Sequence, residues 1–362
     1  MKLFLFLLLF LIYKTYDLNT PSKEYLNLVN WIIENGGYIS PKLYPVENDK
    51  SNRYIITKEK ILRNEKIISI PNSIILSTMN ILLNEICRKV YILEYENYDF
   101  ECLVYFMTFD LNNKSSFFYP YYNYLPKIKK NDFYLYLPEE IKEKISKTEL
   151  GNKIKFAHKY YDRSLAPINN IIKEKNLTER FNESYILVSS RNFGRNGSFW
   201  EDLNSMVPYI DLLNHGNDYN IWIYYDDIKS VMEVFAIKDI EKGNEIINFY
   251  GDENNIVLYT YFGFIIKNNI YHVRNHIFIF DDCFVFDFNS ANDDDVLDKI
   301  NQIMRKKNFS FKEAIKILYE KLNEKKVFYE NIKTSFDNLN YILYEEKFII
   351  EKYIDFLKKY IK

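Results

Sequence analysis

The residues best suited to chemistry stand in a few short stretches. The apolar run Val207-Pro208-Tyr209-Ile210-Asp211-Leu212-Leu213 ends on Asn214-His215. A second run, Glu245-Ile246-Ile247-Asn248-Phe249, ends on Tyr250-Gly251, with Asn255 just downstream. A third stretch, Tyr261-Phe262-Gly263-Phe264, sets a glycine among aromatic rings, and Ser189-Ser190-Arg191-Asn192-Phe193 lies upstream of them all. A guanidinium makes charge-assisted, bidentate contacts with a carboxylate. A tyrosine hydroxyl can orient a partner, stabilise charge and help a proton leave. Taken singly, each feature also has a plain reading. Asn-His is a turn with a packed histidine, Arg191 a surface ion pair, Gly263-Phe264 a packed helix end, and Tyr250 one more core tyrosine among 33.

Other chemistries find no support. There is no phosphate-cradling Gly-x-x-x-x-Gly-Lys-Ser/Thr and no Gly-x-Ser-x-Gly elbow. The cysteines Cys87, Cys102 and Cys283 form no Cys-x-x-Cys, so no metal is expected. Three cysteines cannot all pair, which argues against a disulfide framework. A net charge of -2 argues against nucleic acid as a partner.

The order and spacing of the chemical stretches resemble the C-terminal half of a SET domain. The resemblance is to the branch that includes the Rubisco large-subunit methyltransferases and the actin-histidine methyltransferase. It implies an α+β fold: small sheets with a pseudoknot, split by a helical insert and followed by an all-helical C-terminal domain. It also implies S-adenosylmethionine (SAM) as cofactor, with methyl transfer to a protein side-chain nitrogen. In-line transfer from a sulfonium requires donor and acceptor end to end in a dry, preorganised site.

Carried over residue by residue, the resemblance makes Tyr250 the catalytic tyrosine. Arg191, Asp211, Asn214, His215, Gly263 and Phe264 become cofactor-binding residues, with Arg191 near the donor carboxylate. Phe193 and Phe262 become walls of the substrate channel. Phe193 matches the lysine-modifying members, whereas the histidine-modifying member has Asn there. Phe262 stands where Tyr is frequent. One departure is plain: Ser51-Asn52-Arg53-Tyr54 occupies the place of the family's Glu-Gly-x-Gly, whose backbone curls around the methionine part of SAM. Backbone close to a ligand often needs Gly. The lost glycines and Phe262 favour a catalytically degenerate, protein-binding SET-like module. The retained Arg191, Asn214-His215 and Tyr250 oppose it. Histidine remains the alternative acceptor to lysine.

The elements that must position these residues follow from pattern. Hydrophobic residues make up 48% of the 362 residues, enough for a sizeable core. Residues 1–20 read as a signal peptide or signal anchor. The apolar stretch Leu3 to Tyr13 is short of the ~20 residues that span a bilayer. Residues 21–120 read as the N-terminal part of the SET domain, 121–190 as the helical insert and 191–285 as the C-terminal part with the site. Residues 286–362 read as the helical domain that docks the protein substrate. "RYIITKEKILRNEKIISIP" reads as two strands joined by a turn. "IWIYY", "VMEVFAI" and "HIFIF" read as strands from their β-branched and aromatic content. Ser310 and Glu313 form a capping box before the stripe Phe311, Ala314, Ile315, Leu318, Leu322. A monomer is expected, with membrane contact only through the N-terminal segment.

Overall fold

The structure, a computed structural model, describes residues 20–49, 52–81, 98–193, 204–271, 274–279, 282–287, 297, 300–301, 304–305 and 308–361. The N-terminal apolar segment, Ser51 and Cys87 lie outside the described residues.

The chain enters through helix α1, Lys23–Glu34, whose Ser22 cap accepts from the Tyr25 N–H. Tyr25, Leu28, Trp31 and Ile32 recur at helical spacing and are buried. Gly36, at φ 84°, reverses the chain into β1, Tyr38–Ile39. Strands β2, Leu43–Asp49, and β3, Asn52–Thr57, pair as a hairpin.

Strand β4, Lys66–Pro71, corrects the expectation of a strand pair over 53–71. It does not pair with β3. It is a central strand in a four-stranded sheet, flanked by β1 and by β9, Val231–Ala236, with β8, Ile221–Asp226, at the edge. The reason is burial: Ile67, Ile68 and Ile70 are all fully enclosed, so both faces need cover. A three-stranded sheet joins β5, Leu76–Ser77, β7, Ser205–Met206, and β6, Asn192–Phe193, in that order.

Helix α2, Tyr98–Asp110, is apolar on nearly every side and sits deep, with Leu103, Val104, Tyr105 and Met107 fully buried. Further helices follow to α3, Glu149–Leu165, and α4, Thr178–Arg191. A last hairpin pairs β10, Arg274–Ile279, with β11, Asp282–Asp287. Two helices close the chain: α5, Phe311–Asn331, and α6, Asp337–Ile361. The Ser310–Glu313 capping box is present at the start of α5.

Two apolar cores result. One joins α1, α2 and the sheets. The other joins Ile145, Leu150 and Ile154 of the mid-chain helices to Leu318, Leu322, Leu339 and Ile350 of α5 and α6. Ile256 and Tyr259, just beyond Tyr250, belong to this second core. Among the described residues, no helix is long and apolar enough to cross a membrane.

Candidate active site

Helix α4 delivers the first site residue. Its last residue is Arg191, after which Asn192 turns extended and opens β6. The Arg191 Nη1 donates to the Asp211 carbonyl at 2.6 Å and lies 3.9 Å from the Asp211 carboxylate. Asp211 sits in a single tight turn, Ile210–Leu212. Tyr209 starts that turn at φ 71°, a conformation that costs a non-glycine residue strain. Tyr209 is fully buried, its hydroxyl 2.8 Å from that of Tyr25. The Asp211 carboxylate accepts from the Tyr121 hydroxyl at 2.7 Å. Burial pushes the Asp211 carboxyl up to about 6, against the lowering effect of Arg191. Asp211 is thus committed to fixing Arg191 and Tyr121.

After the turn, Asn214 to Gly216 run alongside Ile247 and Asn248. The Asn248 N–H donates to the Asn214 carbonyl at 2.8 Å, and Gly216 N–H to the Asn248 carbonyl at 3.1 Å. This zipper sets Tyr250 beside His215. The Tyr250 N–H donates to His215 Nδ1 at 3.1 Å, and the two rings stack 5.0 Å apart. Burial lowers the His215 pKa, so the ring is neutral at pH 7. With Nδ1 accepting, the proton resides on Nε2. That Nε2 is enclosed without a partner among the described residues, as is Arg191 Nε. The Asn214 amide donates to Glu245 at 2.8 Å and to the Arg53 carbonyl at 3.4 Å.

The Tyr250 hydroxyl donates to the Leu213 carbonyl at 2.7 Å. Burial pushes its pKa up to about 12, so the group is a neutral donor at pH 7. It suits orientation and charge stabilisation; removing a proton would need the phenolate.

The third stretch begins inside a π-turn, Leu258–Phe262, of the kind found at functional sites. Gly263 ends it at φ 77°, and a Cβ there would come within 2.7 Å of the Phe133 ring. No other residue fits without displacing Phe133. The turn aims Phe262 at Tyr250, with ring centres 5.2 Å apart, and sets Phe264 6.2 Å from Phe262. Asn255 holds this loop down: its side chain exchanges two hydrogen bonds with the backbone of Ile266 and donates to Glu345 of α6.

Two cavities meet here. One, of about 210 Å³, is lined by Asn214, Gly263 and Phe264. The other, of about 530 Å³, is lined by Phe193, Tyr219, Trp222, Tyr225 and Phe249. Both share Ser190, Arg191, Asp211, Tyr250 and Phe262. The expected residues therefore converge, with one adjustment: His215 lines neither cavity and acts from behind Tyr250. Sequence reasoning gave no role to Tyr121, Glu245 or Trp222. Tyr121 belongs to the segment "SSFFYPYYNYLPK", whose tyrosine-rich pattern was visible although its reach to Asp211 was not. Trp222, 62% exposed on the edge strand, had only its exposure to mark it.

The Artemia parthenogenetica SET domain-containing protein 4 is 22% identical over 243 residues, 63% of this chain and 59% of that protein. The Xenopus laevis N-lysine methyltransferase setd6 is 22% identical over 254 residues, 65% of this chain and 55% of that protein. The chain thus spans under two thirds of either relative. The structure of Rubisco LSMT bound to AdoMet superposes with TM-score 0.68 at 15% identity, covering 94% of this chain and 93% of that one. Rubisco LSMT bound to Sinefungin and Monomethyllysine gives TM-score 0.71 at 14% identity, covering 94% and 92%. At such identity the likeness speaks for the α+β fold alone. The family model described as SET domain matches residues 52–251, more than half of the 362 residues. The chain belongs to the SET-domain family.

Proposed function

We propose that this chain is a SAM-dependent protein-lysine N-methyltransferase. The observation that carries the reading is the pair of cavities meeting across Tyr250 and Phe262. A donor on one side and an acceptor side chain on the other would face each other through an aromatic constriction. The Xenopus relative is named an N-lysine methyltransferase, and the Rubisco LSMT structures hold AdoMet and monomethyllysine, which supports the assignment.

The residues present fit such a donor. Arg191 lines both cavities, and its Nε is an enclosed donor without a partner among the described residues. Phe262 and Phe264 give the apolar wall that an adenine or sulfonium neighbour requires. Arg191, Asn214, Gly263 and Phe264 would hold SAM, with Asp211 and His215 supporting them from behind. When bound, SAM supplies a methyl group on a sulfonium for in-line displacement. The chain's part is to position and to exclude water. Phe193, Phe262 and the aromatic wall of the larger cavity desolvate a lysine, which lowers its pKa and favours the uncharged amine. Tyr250 orients that amine through its hydroxyl. Helices α5 and α6 would dock the protein substrate, in a monomer whose segment 1–20 acts as a signal peptide or anchor.

Titration calorimetry of the protein from residue 21 with SAM tests this, followed by methyl transfer from labelled SAM to candidate proteins, read by mass spectrometry at lysine. Micromolar binding and a methylated lysine are expected. A folded sample that binds no SAM would instead be a non-catalytic SET-like module, the reading that the missing Glu-Gly-x-Gly favours.

A further inference from the structure

The missing glycine cradle leaves a gap in the donor site that the β2–β3 hairpin itself addresses. At about 210 Å³, the donor-side cavity is smaller than the roughly 300–1,000 Å³ of most small-molecule sites. A third cavity, of about 600 Å³, adjoins it, and both are walled by Pro126 and Lys127. Arg53 links them. Its carbonyl accepts from the Asn214 amide on the donor side at 3.4 Å, and Arg53 lines the larger cavity.

The Arg53 guanidinium is held in one plane. Its Nη1 donates to the Tyr124 carbonyl, and it lies 4.4 Å above the Tyr124 ring. Its Nε is enclosed with no partner among the described residues. Arg191 shares that unpartnered Nε but has the Asp211 carboxylate 3.9 Å away. The lining also carries Lys127, Glu47 and Glu183. Charges of both signs suit a zwitterion, which is what the amino-acid end of SAM is.

We infer that Arg53 binds the α-carboxylate of the methyl donor, doing with a guanidinium what this chain cannot do with a glycine backbone. The inference rests on the SAM-dependent reading above. It extends the donor pocket from the Tyr250 constriction into the cavity beneath the β2–β3 hairpin. A planar guanidinium whose Nε has no partner among the described residues makes charge-assisted contacts that a glutamine cannot replace.

The test compares two ligands on the full chain by calorimetry. S-adenosylhomocysteine carries the amino-acid end; 5′-methylthioadenosine lacks it. Arg53→Gln is expected to weaken S-adenosylhomocysteine by about 10- to 100-fold and leave 5′-methylthioadenosine unchanged. Arg53→Lys should fall between. Equal loss for both ligands would mean that Arg53 only supports the fold, and no loss for S-adenosylhomocysteine would remove Arg53 from the pocket. Either result overturns the inference while leaving the methyl-donor reading intact. A wild-type chain that binds neither ligand overturns both.

Discussion

At the scale of single residues, the site rests on a tyrosine that cannot act alone. Tyr250 is aligned twice, by its N–H on His215 and by its hydroxyl on the Leu213 carbonyl. Both partners belong to the run that ends in Asn214-His215, so one stretch builds the donor side and aims the hydroxyl. With a pKa pushed up to about 12, that hydroxyl donates and does not abstract. Tyr250→Phe should therefore lower kcat on the order of 100-fold, the typical loss of one preorganised donor. Affinity for S-adenosylhomocysteine should stay within a factor of two or so, because the stacked ring remains. Single-turnover rates with both proteins measure this directly. Equal rates would mean that Tyr250 is a packing residue with a fortunate position. Asp211 adds a second arrangement. It lines both cavities, while its carboxylate accepts from the Tyr121 hydroxyl and lies beside Arg191. Its type and place in the motif were legible, while its partner Tyr121 lay in a distant tyrosine-rich segment with nothing local to single it out.

At the scale of elements, a buried carboxylate helps tie helix α3 to the C-terminal helices, beside the Lys325–Glu149 pair and the shared apolar core. Glu346 of α6 accepts from the backbone N–H of Glu149 at 3.1 Å and of Leu150 at 2.9 Å, the open first turn of α3. The Tyr329 hydroxyl adds a third donor. Burial nonetheless pushes the Glu346 carboxyl up from its ordinary 4.5 to about 7. The sign follows from which state holds the proton. The folded chain holds it more tightly than the unfolded one, so this group's contribution is full below pH 4.5 and is lost as pH rises to about 7. The loss is on the order of 3 kcal/mol. Glu346→Gln, which cannot ionise, should be flatter over that range. Urea melts of both proteins at pH 5 and pH 8 decide it, and parallel pH dependences would sink the idea. Such a tie was not legible in the sequence. The capping box of α5 was, because Ser310 and Glu313 are neighbours. The strands "IWIYY" and "VMEVFAI" were too, since side-chain type alone marks them. The pairing of β4 with β9 and the cap on α3 both join residues far apart in the chain, where composition and spacing carry no signal.

At the scale of the whole molecule, α5 and α6 pack against the turn that leads into the Gly263-Phe264 loop. Their core takes in Ile256, in the helical turn before the π-turn, and Tyr259, on the π-turn leading to Phe262 and Gly263. Glu345, one residue before the α3 cap, receives the Asn255 amide at 3.0 and 3.1 Å. Asn255 in turn pins Ile266 and so the Gly263-Phe264 loop. The final helix therefore reaches the cavity lined by Asn214, Gly263 and Phe264 through two side chains, Glu345 and Asn255. Removing one partner of a buried charged hydrogen bond costs about 1–3 kcal/mol. If the loop carries part of that cost, Glu345→Ala should weaken S-adenosylhomocysteine and slow turnover together, with the helices still folded by circular dichroism. Glu351 of the same helix pairs with Lys326 and Lys347 at the surface, where such pairs contribute little. Glu351→Ala should change neither quantity. The two variants differ by less than two turns along α6, so a docking role alone predicts similar behaviour from both. If donor affinity survives in Glu345→Ala, the C-terminal helices serve the protein substrate only. If it falls there and not in Glu351→Ala, the last helix is a structural member of the donor pocket.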